Sequence, residues 1–506
     1  MKQKAIIFGA GLYGENAYNS LSFDFDIMGF YDNNSDKHYT YYCGVEVLPP
    51  PCIGNIPEDL CLIIAALDSY PILEQLTAAG ADDENIWMYY PYNHIQLCSV
   101  ATVRLSVDGI VEGIGKQVKH SEGDYGLANN QRCKKICILA YEPFLHIVVT
   151  NAIIQISNYN ANYVEVFTLQ STKDELASYL HEDCNKIAWN IIPEKDEYGI
   201  DYSKAYRTML CTATSERIRL LNRWDIIIIS SPEYFYETYS PILLNIPENT
   251  EVIAMIHNIN KVFCGSDLRL RKLLGMATSY AVIDELLIDE IKSRNLTDKK
   301  IYEFPITFRE ETVTAKKESI TDFSFVIPGG VDCKRDYNLV LDVLNQLQGY
   351  YDKIQVVFLG TTKLPYAKEN EIILKCDELK KIGLKIKYFH DFVPTDQFQH
   401  YMRQADFILA PVNVHFVCPS LKADEVYGET KLTGSVLDMI EYARPGIVPK
   451  NLKMPKRLES STVFYDNTPE SLKYVIISLL DREVADRLAK NALENSRKYA
   501  LELYLL

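Results

Sequence analysis

Apolar runs of five to eight residues alternate with amphipathic stretches of helical spacing along nearly the whole chain. That alternation predicts parallel strands covered by helices on both faces. A first block contains strand KAIIF (4–8), helix YGENAYNSL (13–21), strands DIMGFYD (26–32), GVEVL (44–48) and LCLIIAAL (60–67), helix YPILEQLTAAG (70–80) and strand NIWMYYP (85–91). A second runs through KKICILAY (134–141), YVEVFTL (163–169), KIAWNIIP (186–193), WDIIIISSP (224–232), EVIAMIHN (251–258), SYAVID (279–284) and KIYEFPI (300–306). A third opens with DFSFVIPGG (322–330) and continues with KIQVVFLGT, KIKYFHDFV, DFILAPV, GIVP and STVFY, with the helix REVADRLAKNALENSRKYA (482–500) closing it. The glycine-rich, polar stretch between the first two blocks reads as a linker or irregular connection, and FREETVTAKKESI (308–320) as a hinge. The expected organisation is three Rossmann-like parallel-sheet α/β domains: 1–98, a linker at 99–132, 133–312 and 313–506. Ligands of such sheets bind at the carboxyl ends of the strands, so a cleft is expected between the last two.

The 506 residues are 47% hydrophobic and 24% charged, an ordinary globular balance. A net charge of −16 argues against a general nucleic-acid binder, which needs a basic surface. No apolar run approaches the roughly 18 residues of a membrane helix. The first residues pass straight into a strand rather than a signal peptide. The twelve cysteines lack C-x-x-C pairs, so they read as reduced thiols of a cytoplasmic protein and no metal site is expected.

Gly9, Gly11 and Gly14 follow the first strand in the G-x-G-x-x-G pattern, and Asp32 ends the next strand 21 residues after Gly11. Gly9 allows a tight turn, Gly11 a close approach to a pyrophosphate and Gly14 close helix–strand packing, while Asp32 is placed for ribose hydroxyls. The block then offers a site for a nucleotide, a nucleotide-sugar or NAD, unless it keeps the Rossmann shape without a ligand. A dehydrogenase reading draws on Tyr427 and Lys431 as Y-x-x-x-K, but Gly428 within the motif and Thr433-Gly434 after it make that segment a loop.

The runs IIFGAGLYGENAYNSL, DIMGFYDNN, YYCGVEVLPP, LCLIIAAL and YPILEQLTAAG together resemble the small N-terminal domain of bacterial nucleotide-sugar acyltransferases. That resemblance implies a nucleotide or nucleotide-sugar ligand. The hexapeptide repeats of the acyl-transferring β-helix are missing, so acyl transfer is not expected.

Residues 134–500 resemble a GT-B glycosyltransferase, most specifically over DEVYGETKLTGSVLDMIEYARPGIVP (424–449). Lys431 places a positive charge just before a helix whose first N–H groups, at Gly434 and Ser435, can point at a diphosphate, with Thr433 adding a hydroxyl. The resemblance implies that this corner grips the donor. The family's paired glutamates are altered: Asp438 stands where the second falls, and Thr430 replaces the first, so Glu429 or Glu425 is the candidate substitute. Ser435 and Asp438 also fit a capping box. In FVIPGGVDCKRDYN, Gly329 and Gly330 allow backbone to approach a phosphate or sugar. The resemblance implies that Arg335 stabilises the departing diphosphate, beside a solvated Lys334; a plain surface pair fits equally. The resemblance also points to His257 as base or orienter of the acceptor and Asn258 as its hydrogen-bond partner. Glu142 faces the same cleft by topology, and Ser231-Pro232-Glu233 is a weaker candidate.

The sequence therefore reads as a glycosyltransferase moving sugar from a nucleotide-sugar to a carbohydrate or lipid-linked acceptor in surface polysaccharide synthesis. Catalytic candidates are His257, Arg335 and Glu429; donor ligands are Gly329, Gly330, Lys431, Thr433, Gly434, Ser435 and Asp438; acceptor ligands are Glu142 and Asn258. No cofactor or metal is required for transfer. The terminal helix is expected to cross back onto the second block as a clamp, and peripheral association with the inner membrane face stays open. A non-catalytic sensor or scaffold, and a nucleotide-sugar oxidoreductase, are the rival readings.

Overall fold

The computed structural model describes residues 2–52, 54, 56–57, 59–66, 69–89, 97–109, 134–142, 147–159, 163–177, 179–180, 187–195, 204–310, 322–362, 369–418 and 423–504. The hinge expected at 308–320 falls almost wholly outside these, as do residues 110–132 of the expected linker.

Three sheets carry the chain. In the first, the central strand Gln3–Phe8 lies parallel between Phe25–Tyr31 and Cys61–Ile64. The second has the order Ala188–Ile192, Tyr163–Leu169, Lys135–Ala140, Ile226–Ile229, Glu251–Met255, Ser279–Val282, Ile301–Glu303, with every pairing parallel. The third has the order Lys385–Phe389, Ile354–Thr361, Phe323–Pro328, Phe407–Leu409, Gly446–Pro449, Thr462–Tyr465, again parallel throughout. In the last two the first strand is central and the order reverses beside it, the doubly wound arrangement that leaves a crevice at the strands' carboxyl ends. Strands covered on both faces read as unbroken apolar runs. Ile226–Ile229 is the extreme case, with all four side chains buried.

Two features depart from the expected pattern. Residues 100–109, assigned to the irregular linker, are helical, and Leu97–Ser99 adds an antiparallel strand to the first sheet. Val100, Val103 and Val107 recur at helical spacing and bury one face. The terminal α-helix is shorter than the expected 482–500, running Arg482–Ser496, and Asn491 and Asn495 tie it to Ser460 and Ser461 of its own unit. The crossing is made by the end of that expected stretch, the 3-10 turn Arg497–Tyr499. Arg497 pairs with Glu310 at 2.7 Å, Tyr499 donates to Asp284 at 3.1 Å, and the Phe308 N–H donates to the Tyr499 carbonyl at 3.0 Å. Arg457 completes this join, reaching Glu303 at 3.0 Å and Glu285 at 3.1 Å. Among the described residues no helix is long and apolar enough to cross a membrane.

The glycine turn of the first sheet is tightly built. Gly9 has φ +117° and its N–H donates to Tyr31 O at 2.7 Å. A Cβ on Gly14 would lie 1.8 Å from Gly9 O and 3.1 Å from the Phe30 ring, whereas Gly11 has open space. Gly14→Ala is therefore expected to lower unfolding stability by about 1–3 kcal/mol through overpacking. Gly11→Ala should cost under about 1 kcal/mol, the preference for glycine at an uncapped helix start. Denaturant titration of both variants checks this, and equal losses would contradict the close contact.

Candidate functional site

Three strands of the second sheet end side by side, and each delivers a polar residue into the same space. After Lys135–Ala140 comes Glu142; after Ile226–Ile229 come Ser230, Ser231 and Glu233; after Glu251–Met255 come His257 and Asn258. All six are buried. Glu233 Oε1 accepts the main-chain N–H groups of His257 at 2.7 Å and Asn258 at 2.9 Å. Asn258 Oδ1 in turn accepts the Lys261 N–H at 3.0 Å, at the start of a single π-helical turn, Asn260–Cys264.

The third sheet's unit closes this space from the other side. An antiparallel hairpin, His415–Cys418 with Ala423–Val426, carries Glu425, which is 1% exposed. Glu425 Oε1 accepts both the Asn258 carboxamide at 3.2 Å and the Lys431 ammonium at 3.3 Å. Two further bonds cross the same boundary: Ile259 N–H to Thr430 O at 2.9 Å and Asn260 Nδ2 to Asp424 O at 2.8 Å.

Glu142, Glu233 and Glu425 thus face the ammonium groups of Lys261 and Lys431 out of bulk water. Three carboxylates against two cations would leave a net buried charge, which is costly; one retained proton makes the group neutral. Glu142 holds it. Burial pushes its carboxyl up to about 9, with Glu233 adding to the rise and Ser231 and Lys261 opposing. Neither Glu142 oxygen makes an aligned hydrogen bond, the Ser231 hydroxyl lying beside it without that alignment. Burial raises Glu233 only to about 7, because the Asn258 and His257 N–H groups and both lysines favour its charged form. His257 is pushed down to about 4 by burial, with Lys431 and Lys261 adding to the fall and its bond to Ser230 opposing. Its Nε2 lies 2.7 Å from the Ser230 carbonyl, which assigns the proton to Nε2 and the basic lone pair to Nδ1. Burial also lowers the Lys261 pKa, against the pull of Glu233 and Glu142.

Lys431 leads directly into the helix Gly434–Glu441. Its N-cap is Thr433, in extended conformation with no side-chain cap, so its first N–H groups receive none from the cap residue. Ser435 lies inside the helix, out of register for the expected capping box, and its buried Oγ has no partner. Nothing lies within 4 Å of the position a Gly434 Cβ would take. Asp438 is half-buried by accessible area. Burial pushes it up to about 7, with Arg335 opposing.

Other candidates are placed differently. Glu429 turns outward and pairs with Lys453 at 2.6 Å. Gly428, just before it, has a φ of +83°, and a Cβ there would fall 2.4 Å from Lys453 O, so this turn requires glycine. Glu425, four residues earlier, supplies the cleft carboxylate instead. Arg335 lies beneath the glycine loop, donating to Pro328 O at 2.9 Å and Gly330 O at 3.2 Å. A Cβ on Gly329 would meet its Nη2 at 2.6 Å, so this glycine makes room for the guanidinium. Gly330 O also accepts from Tyr337 at 3.1 Å. In the first sheet's unit, Asp32 accepts from Ala10 N–H and Asn34 N–H, both at 2.8 Å, and from Lys37 at 3.0 Å. Desolvation raises its pKa, but these donors outweigh that and the net shift is downward. Lys37, also bonded to Ala10 O at 2.7 Å, was not singled out from the sequence, nor was Lys261. Only the fold brings either to its partners.

The C2185-like N-terminal family model matches residues 1–87. No curated protein matches the chain. A glycosyltransferase from Rickettsia africae ESF-5 superposes with a TM-score of 0.52 at 12% identity, over 74% of this chain and 96% of that one. Alr3699/HepE of Anabaena, in complex with UDP and glucose, gives 0.50 at 12% identity, over 73% and 97%. The catalytic domain of starch synthase IV from Arabidopsis thaliana, bound to ADP and acarbose, gives 0.50 at 10% identity, over 74% and 99%. The shared architecture is the GT-B fold.

The retained proton has a measurable consequence. Glu142 titrates near 4.3 when unfolded and at about 9 when folded. Between these values the folded state binds more protons, so stability falls as pH rises. Glu142→Gln is expected to raise the melting temperature by several degrees at pH 8 and to change it little at pH 4.5. An equal gain at both pH values would contradict a proton held on Glu142.

Proposed function

We propose that the chain is a GT-B glycosyltransferase moving a sugar from a nucleotide-sugar donor to a carbohydrate or lipid-linked acceptor in surface polysaccharide synthesis. The supporting observation is the convergence of strand ends and the 427–433 loop on one buried charged cluster beside an uncapped helix start. In this reading residues 133–312 hold the acceptor and 313–506 the donor. Residues 1–98, joined through 99–132, form an accessory module for a nucleotide, a nucleotide-sugar or NAD.

The donor's diphosphate takes the Lys431 ammonium, the Gly434 and Ser435 N–H groups and the Thr433 hydroxyl. Negative charge accumulates on that diphosphate as the sugar leaves, so these donors favour the transition state over the ground state and take the place of a divalent cation. Arg335 adds its field from beneath the loop, and Asp438 lies at the donor end of the cleft. His257 Nδ1 and the Asn258 carboxamide orient the acceptor hydroxyl, and Glu142 bonds a neighbouring one. Glu425 takes the place first assigned to Glu429. UDP in HepE and ADP in starch synthase IV support a nucleoside diphosphate as the donor's carrier.

Thermal unfolding of the full chain with UDP, GDP, ADP and NAD tests this. A ligand at about 100 times its Kd adds about 2.7 kcal/mol to stability. One nucleoside diphosphate is expected to raise the melting temperature, and Lys431→Ala to abolish the rise. A rise that survives Lys431→Ala and vanishes in Lys37→Ala would move binding to the first unit and favour the sensor or scaffold reading.

A further inference from the structure

Glu233 is 3% exposed and is bonded to the main chain of His257 and Asn258. One of its oxygens receives two consecutive main-chain N–H groups, at 2.7 and 2.9 Å. Two N–H groups on one buried carboxylate are charge-assisted bonds, short and about twice as strong as neutral ones. They fix the chain where it leaves the strand Glu251–Met255 and turns into the π-helical turn. That turn decides where the imidazole and the carboxamide point. We propose that Glu233 is a positioning residue of the cleft: by holding the His257–Asn258 turn through its two N–H groups, it sets where these side chains meet the acceptor. This rests on the transferase reading above.

The same bond extends across the cleft. Asn258 is held at its N–H by Glu233 and at its carboxamide by Glu425, which also receives Lys431. The turn therefore links the acceptor-side strand ends to the loop assigned to the donor. Groups facing Glu233 come from every neighbouring element: Glu142 from the first strand end, Lys261 from the π-helical turn, Lys431 from the donor loop, and Tyr234 beside it, which also feels Glu425. Burial places Glu233 at about 7, between His257 at about 4 and Glu142 at about 9. Protonation below that point removes the charge that holds both N–H groups, so the turn loosens as pH falls through neutrality. Neither His257 nor Glu142 titrates at that point, but Asp438 at the donor end of the cleft, also at about 7, does.

The test is hydrolysis of UDP-glucose and ADP-glucose by the full chain across pH 6–8.5, in the wild type and Glu233→Gln. Glutamine keeps the shape and loses the charge. The expected result is a kcat lower by about 10- to 100-fold, the cost of misplacing a reacting group, with KM for the donor within about threefold. The wild type's rise in rate through pH 7 should be smaller in the variant, any remainder being the share of Asp438. A variant with wild-type kcat and the same pH dependence would overturn the proposal. Amide hydrogen exchange over residues 252–259, corrected for intrinsic rate, provides a second readout independent of turnover. Protection is expected to be greater at pH 8 than at pH 6 in the wild type and equal at both in Glu233→Gln; equal protection in both proteins at both pH values would also overturn it. If the wild type hydrolyses neither probe and UDP, ADP and GDP all leave its melting temperature unchanged, the transferase reading fails by itself, and exchange alone decides the role of Glu233.

Discussion

The Glu425 carboxylate is the contact on which the cleft depends. It is buried, it comes from a hairpin of the third sheet's unit, and one of its oxygens takes both Asn258 from the second sheet's unit and Lys431 from its own. A buried charge of this kind is tolerated only when it is paired and hydrogen-bonded. Removing Lys431 or Asn258 would leave it poorly compensated, so the two units are held in register by electrostatic need as well as shape. In the proposed reading the arriving diphosphate competes with Glu425 for Lys431. Donor binding would then be coupled to the relation between the two units without any separate switch.

The rest of the molecule supports that contact. The parallel sheets present strand ends as a row, and right-handed crossovers place the connecting helices on the faces, away from the cleft. On the neighbouring strand ends, Arg457 with Glu285 and Glu303, and Tyr499 with Asp284, join the same two units again. Burial raises Asp284 to about 6, so this second join also contains a titrating carboxyl. The first sheet's unit meets the second at its edge, with the Arg269 guanidinium 5.1 Å over the Tyr13 ring in the helix that follows the glycine turn.

Most of the fold was legible because strands buried on both faces appear as apolar runs with a definite beginning and end. The hairpin carrying Glu425 was not, since HFVC and ADEV are short and mixed in polarity. The helix at 100–109 was hidden by the glycine-rich stretch after it, although its valines have helical spacing. Topology pointed to Glu142 and the family resemblance to His257 and Asn258 as candidates, and the structure brings these three to neighbouring strand ends. Site residues whose direction depends on a turn were not legible. Glu429, after Gly428 at positive φ, turns outward, and an N-cap at Thr433 shifts the helix register against the Ser435–Asp438 capping box. Lys261 and Glu233 acquire meaning only when three strand ends converge. Gly329 is a different case, since the sequence pointed to a ligand where the structure places Arg335.

The central claim is that the cleft between the second and third sheets holds a nucleoside diphosphate. The most direct measurement is a crystal structure of the full chain grown with whichever of UDP, ADP or GDP binds tightest. The account predicts density for the two phosphates between the Lys431 ammonium and the Gly434 N–H, with Lys431 drawn away from Glu425. Nucleotide bound only at the Gly9–Gly14 turn, with the Lys431–Glu425 pair intact, would contradict it.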